Sequence, residues 1–308
     1  MIRRTILMYH RVAEDPRDPY SLCVSPDRFE AQLRTIMESA ELVDLHSLSS
    51  TADQGRRPDR RARAQVVLTL DDGYADNLLA ALPIAEMLGA PMTVYVTTGY
   101  LGSSAGYWWD RLALLLDGRD RIDLDVEIGG DRLRVLLTGE AASECALVAL
   151  HTRLRQLAVT EIEAALATIA EQLATPMPEP LSARVMSRDE VCALAKSPLV
   201  TIGAHTVDHV LLGGRGFAEQ LETIRRSKEE LETLIGCPVL RFAYPYGDGE
   251  AFDPASVEAV RRCGFETACT TLGGRVTRLN DRLRLPRRVV RNWHAGEMQD
   301  QLRAWRAV

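Results

Sequence analysis

Two adjacent carboxylates, Asp71 and Asp72, stand in LTLDDGYADN, residues 68–77, directly after QVVLTL at 65–70. That preceding run is rich in β-branched residues and leucine, the pattern of a strand covered on both faces. α/β barrels place reactive groups at the C-terminal ends of such strands. Successive strand side chains point to opposite faces, so two neighbouring carboxylates share a site only if the backbone leaves the pleat. Gly73 permits that departure. Asp-Gly is also an ordinary turn signal.

Two imidazoles follow in GAHTVDHVLL, residues 203–212. His205 and His209 stand four apart after another strand-like run. The spacing predicts two ring nitrogens on one side of a helical turn, suited to a divalent metal. A carboxylate added to them makes a two-histidine, one-carboxylate set with positions open to water and substrate. Two of the six histidines of the chain fall in this stretch, which argues against an accidental surface pair. A third stretch, VLRFAYPYGDGE at 239–250, ends a strand in Pro-Tyr-Gly, a turn that can present a backbone N–H to a substrate oxygen. A fourth is TILMYHRV at 5–12, where a buried strand ends on His10.

All of these groups need strands to hold them. Ile6–Tyr9 reads as the first strand, and Ser25 with Pro26 opens a helix whose Phe29, Leu33, Ile36 and Met37 share a face. After the polar, basic stretch 52–64, expected as a solvated loop, come QVVLTL, a helix from Tyr74 to Leu88, and MTVYV at 92–96. Strand, helix, strand at this spacing makes a parallel βαβ unit. The alternation breaks off between about 105 and 184, where IDLDVEI and RLRVLL flank Gly129-Gly130 as a hairpin beside helical stretches. It resumes with a capping box at Ser187 and Glu190, a strand at 199–204, a long helix at 217–235 ended by Gly236, the strand VLRFAY, a helix at 254–263 and the strand FETACT. The expectation is an α/β fold: an irregular (β/α) barrel of about seven parallel strands, one domain over 1–308, with an insertion at about 105–184.

Composition fits this picture. The 308 residues are 46% hydrophobic, enough for a sizeable core. The net charge of −6 argues against general nucleic-acid binding. No apolar run is long enough for a transmembrane helix. The N-terminal apolar stretch is too brief for a secretory signal, so a cytoplasmic protein is expected. The six cysteines show no C-x-x-C spacing and are expected to be reduced, mostly in the core.

Taken together the motifs resemble those of the polysaccharide deacetylases, the NodB-homology or family-four carbohydrate esterases. TLDDG is similar to the family's Thr-Phe-Asp-Asp-Gly, HTVDH to its His-Ser/Thr-x-x-His, and FAYPYG to its Phe-Arg-x-Pro-Tyr-Gly. The resemblance covers most of the chain outside the insertion. It implies a distorted β/α barrel, with Asp71 as general base and Asp72, His205 and His209 as ligands of a divalent metal, zinc by expectation. It also implies that the Tyr246 backbone N–H serves the oxyanion and that Thr206 shapes the loop between the histidines.

Two family parts are missing. The late Leu-x-Leu-His motif that supplies the acid is absent; RLRLPRRVVRNWH holds only His294, in an expected loop. A branch of the family that resembles this chain carries an early Tyr-His pair, so His10 is the candidate acid or substrate contact. Ala243 occupies the position of the arginine that orients the base. Arg287 or Arg288 is expected to replace it, Arg287 preferred, with Arg241 one step off register. The family's fourth motif is not recognisable near 269–275. Trp108 and Trp109 are expected to pack the insertion, and most of Arg282, Arg284, Arg287, Arg288 and Arg291 to form a salt-bridged surface. The implied activity is removal of an N-acetyl group from an amino sugar, nucleotide-linked, lipid-linked or in an oligosaccharide, during cell-surface polysaccharide or glycolipid synthesis. N-deformylation of a formamido sugar is the alternative within the same chemistry. A carbohydrate-binding protein that keeps the fold without activity is the competing class.

Overall fold

The computed structural model describes residues 3–49, 63–139, 141–277 and 279–307; the expected solvated loop lies, but for its last two residues, outside them. The chain divides into two compact units, Met1–Leu101 with Met186–Val308, and Gly102–Val185.

The first unit is built on seven parallel strands: β1 (Arg4–Tyr9), β2 (Ala64–Leu70), β3 (Met92–Val96), β4 (Val200–Ala204), β5 (Arg241–Ala243), β6 (Thr267–Cys269) and β7 (Arg288–Val289). Their order is β6-β5-β4-β3-β2-β1-β7. An eighth short strand, Ala40–Leu42, pairs with the first half of β2, and β3 pairs with its second half. The seven strands form a curled half-barrel. Its two edges are linked by one stretch of chain: Leu285 bridges Cys269 of β6, and Arg288 and Val289 pair with Leu7 and Met8 of β1.

Alternate strand residues face two separate cores. Leu7, Tyr9, Leu68, Leu70, Val94, Val96, Phe242 and Ala268 belong to the large cluster that packs against helices. Ile6, Val67, Tyr95, Ala243, Cys269 and Leu285 form the smaller cluster inside the curl. Both faces are apolar, so the strands read as continuous runs rather than alternations. The two-residue period then fixes which ends point inward: Asp71 continues Val67 and Thr69, and His10 continues Ile6 and Met8.

Helices cover the outer face, and their ends follow local chemistry. Pro26–Ser39 starts with proline at its first position and buries Phe29, Leu33 and Ile36. Phe217–Ile235 stops at Gly236, whose φ of 72° is left-handed. Arg188–Leu194 carries a complete capping box: Ser187 Oγ accepts from the Glu190 N–H at 3.2 Å, and Glu190 Oε2 accepts from the Ser187 N–H at 2.8 Å. Ser187→Ala is expected to cost about 1 kcal/mol, read as a lower urea midpoint with an unchanged slope. The helix expected from Tyr74 to Leu88 is divided. A π-helical turn, Asn77–Ala81, precedes the α-helix Leu82–Leu88. Pro83 lies in the first turn of that α-helix and has no N–H to give an upstream carbonyl.

In the second unit, Arg121–Ile128 and Asp131–Thr138 pair antiparallel across Gly129 and Gly130, both at positive φ. Helices Trp108–Leu116, Ala142–Leu154 and Val159–Gln172 complete it. Trp108 stacks on His151 at 5.0 Å and Trp109 on Tyr107 at 4.2 Å, so both tryptophans are packing residues within the unit. All six cysteines are free, but the core holds only Cys23 and Cys269; Cys145 and Cys237 are exposed. No helix among the described residues is long and apolar enough to cross a membrane.

Candidate active site

The strand ends bring together Asp71, Asp72, His205, His209, His10 and Arg287, from parts of the chain more than two hundred residues apart. Asp71 is buried and receives both arms of the Arg287 guanidinium, Nη1 to Oδ1 at 2.7 Å and Nη2 to Oδ2 at 2.6 Å. This two-pronged geometry is the strongest form of carboxylate pairing. Arg287 is itself 0% exposed. Its Nε donates to the Thr270 carbonyl at 2.9 Å, Nη1 also reaches Thr69 Oγ1 at 3.0 Å, and its plane lies over the Tyr95 ring. Burial by itself would raise the Asp71 pKa, but the charge and hydrogen bonds of Arg287 outweigh it and hold the carboxyl below its ordinary range.

Arg287 thus takes the base-orienting place expected for it, while Ala243 is part of the inner apolar cluster. Arg241 points to the opposite end of the barrel, where it pairs with Glu266 at 2.6 Å. Three of the other late arginines meet rings or a carbonyl. Arg284 lies over Phe252, Arg288 over Trp305, and Arg291 donates to the Ser21 carbonyl.

Asp72 turns away from Asp71. The departure from the pleat begins at Asp72 itself, with φ of 74°, and continues through Gly73 at 80°. Its Oδ1 lies 3.5 Å from His205 Nε2 and 3.4 Å from His209 Nε2. The histidines do not share a helical turn. Residues 205–210 are a loop in which Thr206 and His209 both adopt left-handed backbone, φ 63° and 51°. The left-handed kinks, rather than a helical repeat, turn both rings toward Asp72. Tyr246, at φ 59°, is the fourth such residue; among the described residues only seven non-glycine positions have positive φ, and four of them are here. Strained backbone of this kind persists where surrounding structure holds it in place, and it clusters at functional sites.

The carbonyl of Ala243 lies 2.8 Å from His205 Nδ1. That contact assigns the proton to Nδ1 and leaves the Nε2 lone pair toward Asp72. The ring of Tyr246 meets that of His209 edge-on at 4.7 Å. Its loop is held by Thr271, whose Oγ1 donates to the Tyr246 carbonyl at 2.8 Å. Only glycine fits next, since a Cβ on Gly247 would stand 2.7 Å from the Thr271 nitrogen.

The three donors of Asp72, His205 and His209 are buried and lie within 4.8 Å of one another. Ligands about 2.1 Å from a tetrahedral metal stand about 3.4 Å apart. The two nitrogen-to-oxygen separations have that value, so the set fits a divalent cation. Burial by itself would raise the Asp72 pKa, but the two histidine rings beside it outweigh that and hold the carboxyl well below the usual carboxylate range. Burial lowers the His209 pKa against the pull of Asp72. His10 is half-buried at the end of β1, and burial lowers its pKa against the opposing charges of Asp72 and Asp71. His294 is elsewhere in role. Its ring accepts the Glu297 N–H at 3.4 Å and caps the helix Ala295–Ala304.

The sequence reading missed Thr69, Thr270 and Tyr95, which surround Arg287; nothing in their residue types marks them. Tyr95 gains its place because Gly203 opposite has no side chain, and a Cβ there would stand 2.4 Å from the ring.

A family model for polysaccharide deacetylases matches residues 137–268, which include both histidines and the Tyr246 loop. The protein YxkH of Bacillus subtilis (strain 168), assigned by name to the polysaccharide deacetylases, is 28% identical over 103 residues, a third of each chain (33% and 33%). Among solved structures, IcaB from Ammonifex degensii is 19% identical and superposes with a TM-score of 0.62 over 100% of this chain and 98% of its own. A polysaccharide deacetylase from Bacillus cereus is 16% identical, with a TM-score of 0.61 over 97% of this chain and 68% of its own. The Streptococcus pyogenes deacetylase PplD is 19% identical, with a TM-score of 0.57 over 97% of each chain. At these identities the structural likeness is one of fold, and it is the half-barrel described above. Over residues 137–268 the chain is similar to the polysaccharide deacetylases, and its fold is the one these solved structures share.

Proposed function

We propose that this protein is a metal-dependent hydrolase that removes an N-acetyl group from an amino sugar in a cell-surface glycan or its precursor. The observation that carries the reading is the pairing of two unlike carboxylates. Asp71 is held by Arg287 as a free base, beside a buried Asp72–His205–His209 set that fits a divalent cation. The fold neighbour from Streptococcus pyogenes is in complex with acetate, the product such a reaction releases.

Asp72, His205 and His209 would hold the metal, which we take to be zinc from its imidazole and carboxylate donors. When bound, such an ion polarises an amide carbonyl and lowers the pKa of water. Asp71 takes the proton of the attacking water. Arg287 keeps that carboxylate ionised and aimed. The backbone N–H of Tyr246 donates to the developing oxyanion. His10, beside Asp71 on the inner face, protonates the leaving amine, which departs poorly as an anion.

Mass spectrometry of reactions with zinc-loaded protein tests this. The panel holds N-acetyl and N-formyl nucleotide sugars, lipid-linked N-acetyl sugars and short N-acetylglucosamine oligomers, with Asp71→Asn as control. Loss of 42 Da, roughly one acetyl group replaced by hydrogen, from a panel member and not in the control supports deacetylation. Loss of formyl instead overturns the choice of acyl group, and sugar binding without any loss overturns the catalytic reading.

A further inference from the structure

We propose that Asn77, with Asp76 and Arg11, is a positioning group that fixes His10 relative to the Asp71–Asp72 loop. This rests on the reading above, in which His10 acts at the reacting amide. The carbonyls at the end of β1 are taken in turn. That of Met8 accepts the Val290 N–H at 3.0 Å, and that of Tyr9 accepts the Asp71 N–H at 3.1 Å. The carbonyl of His10, next in line, is held by a side chain, the Asn77 Nδ2 at 2.8 Å. The same Nδ2 lies 3.1 Å from Asp76 Oδ1, which also accepts the Val12 N–H at 3.1 Å. Asp76 Oδ2 pairs with Arg11 Nε at 3.1 Å, and Arg11 Nη1 pairs with Asp15 at 3.1 Å. Residues 10, 11 and 12 are thus tied, one by one, to residues 76 and 77, five places beyond the carboxylate pair.

Two further observations separate this from ordinary packing. Asn77 is 0% exposed, yet its Oδ1 accepts no hydrogen bond from the described residues. Burying half an amide unsatisfied costs stability, which an apolar residue would not; the donating half is what the position keeps. Asn77 also begins the π-helical turn, a rare conformation that is frequent at functional sites. The chain departs from regular helix at the residue that reaches His10.

The test is a double-mutant cycle. Asn77→Ala is expected to lower kcat by about tenfold to a hundredfold, as for a misplaced reacting group, with KM and the calorimetric zinc Kd within about twofold of wild type. His10→Ala/Asn77→Ala is expected to be no slower than His10→Ala alone, because Asn77 acts through His10. In metal-free protein labelled with 15N-histidine, Asn77→Ala is expected to move the His10 ring resonances and leave those of His294 in place. Additive losses in the cycle overturn the proposal, as do unmoved His10 resonances, or a parallel fall in zinc affinity. If the wild-type protein deacylates nothing, the functional reading fails while the resonances still decide the positioning. Asn77→Ser, which retains a shorter donor, serves if the alanine variant does not fold.

Discussion

Asp71→Asn is expected to lower turnover by about 10²–10⁴-fold while leaving zinc affinity near that of wild type. The amide keeps the shape of the carboxylate but cannot take a proton from water. It also leaves the Arg287 guanidinium, 0% exposed, without its counter-charge. Breaking a buried pair from one side costs about 3–5 kcal/mol, so this variant is expected to unfold at lower urea as well. Arg287→Met is expected to lose stability to a similar extent, since it strands the Asp71 carboxylate in the interior. The double variant Asp71→Asn/Arg287→Met removes both charges. It is expected to recover most of the lost stability and none of the turnover. Equal instability of the single and double variants would show that the pair is not what these substitutions disturb.

The same pair makes a pH prediction with a definite sign. Arg287 holds the folded pKa of Asp71 below its ordinary value. The contribution of the pair is therefore full above the unfolded carboxylate value of about 3.9. It is lost as pH falls further, through the folded value. Acid unfolding of wild type is expected to be steeper below about pH 4 than that of the double variant.

His205→Ala is expected to weaken zinc binding by more than about 10²-fold, since loss of a mere outer partner of a ligand already costs 10- to 100-fold. The ring supplies one of three converging donors, and the Ala243 carbonyl that fixes its tautomer cannot bind in its place. Isothermal titration of metal-free protein reads this directly. Thermal unfolding gives a second readout. A ligand at one hundred times its Kd stabilises the folded state by about 2.7 kcal/mol. Wild type is expected to gain melting temperature with zinc and lose it with a chelator, whereas His205→Ala is expected to respond to neither. A variant that kept the wild-type zinc response would place the metal elsewhere.

Much of this was legible in the residues. The runs QVVLTL and MTVYV, the capping box at Ser187 and the glycine stop at 236 each carry their own local reason, and they appear where those reasons put them. The candidate metal donors stood out because histidine is scarce and carboxylates side by side are conspicuous.

Other features were decided only in three dimensions. The sequence cannot say which face of a doubly covered strand is the inside, because both are apolar; the two cores decide that Asp71 and His10 point inward. It suggested a helical turn for the histidines, and left-handed backbone at Thr206 and His209 overrides the spacing. Arg287 was one arginine among several. Its partnership with Asp71 depends on a two-residue strand, β7, and on the chain closing the gap between sheet edges. Local chemistry writes strands, caps and donor types into the sequence. A pairing across 216 residues is set by which side chain enters the interior, and that is fixed only when the sheet curls.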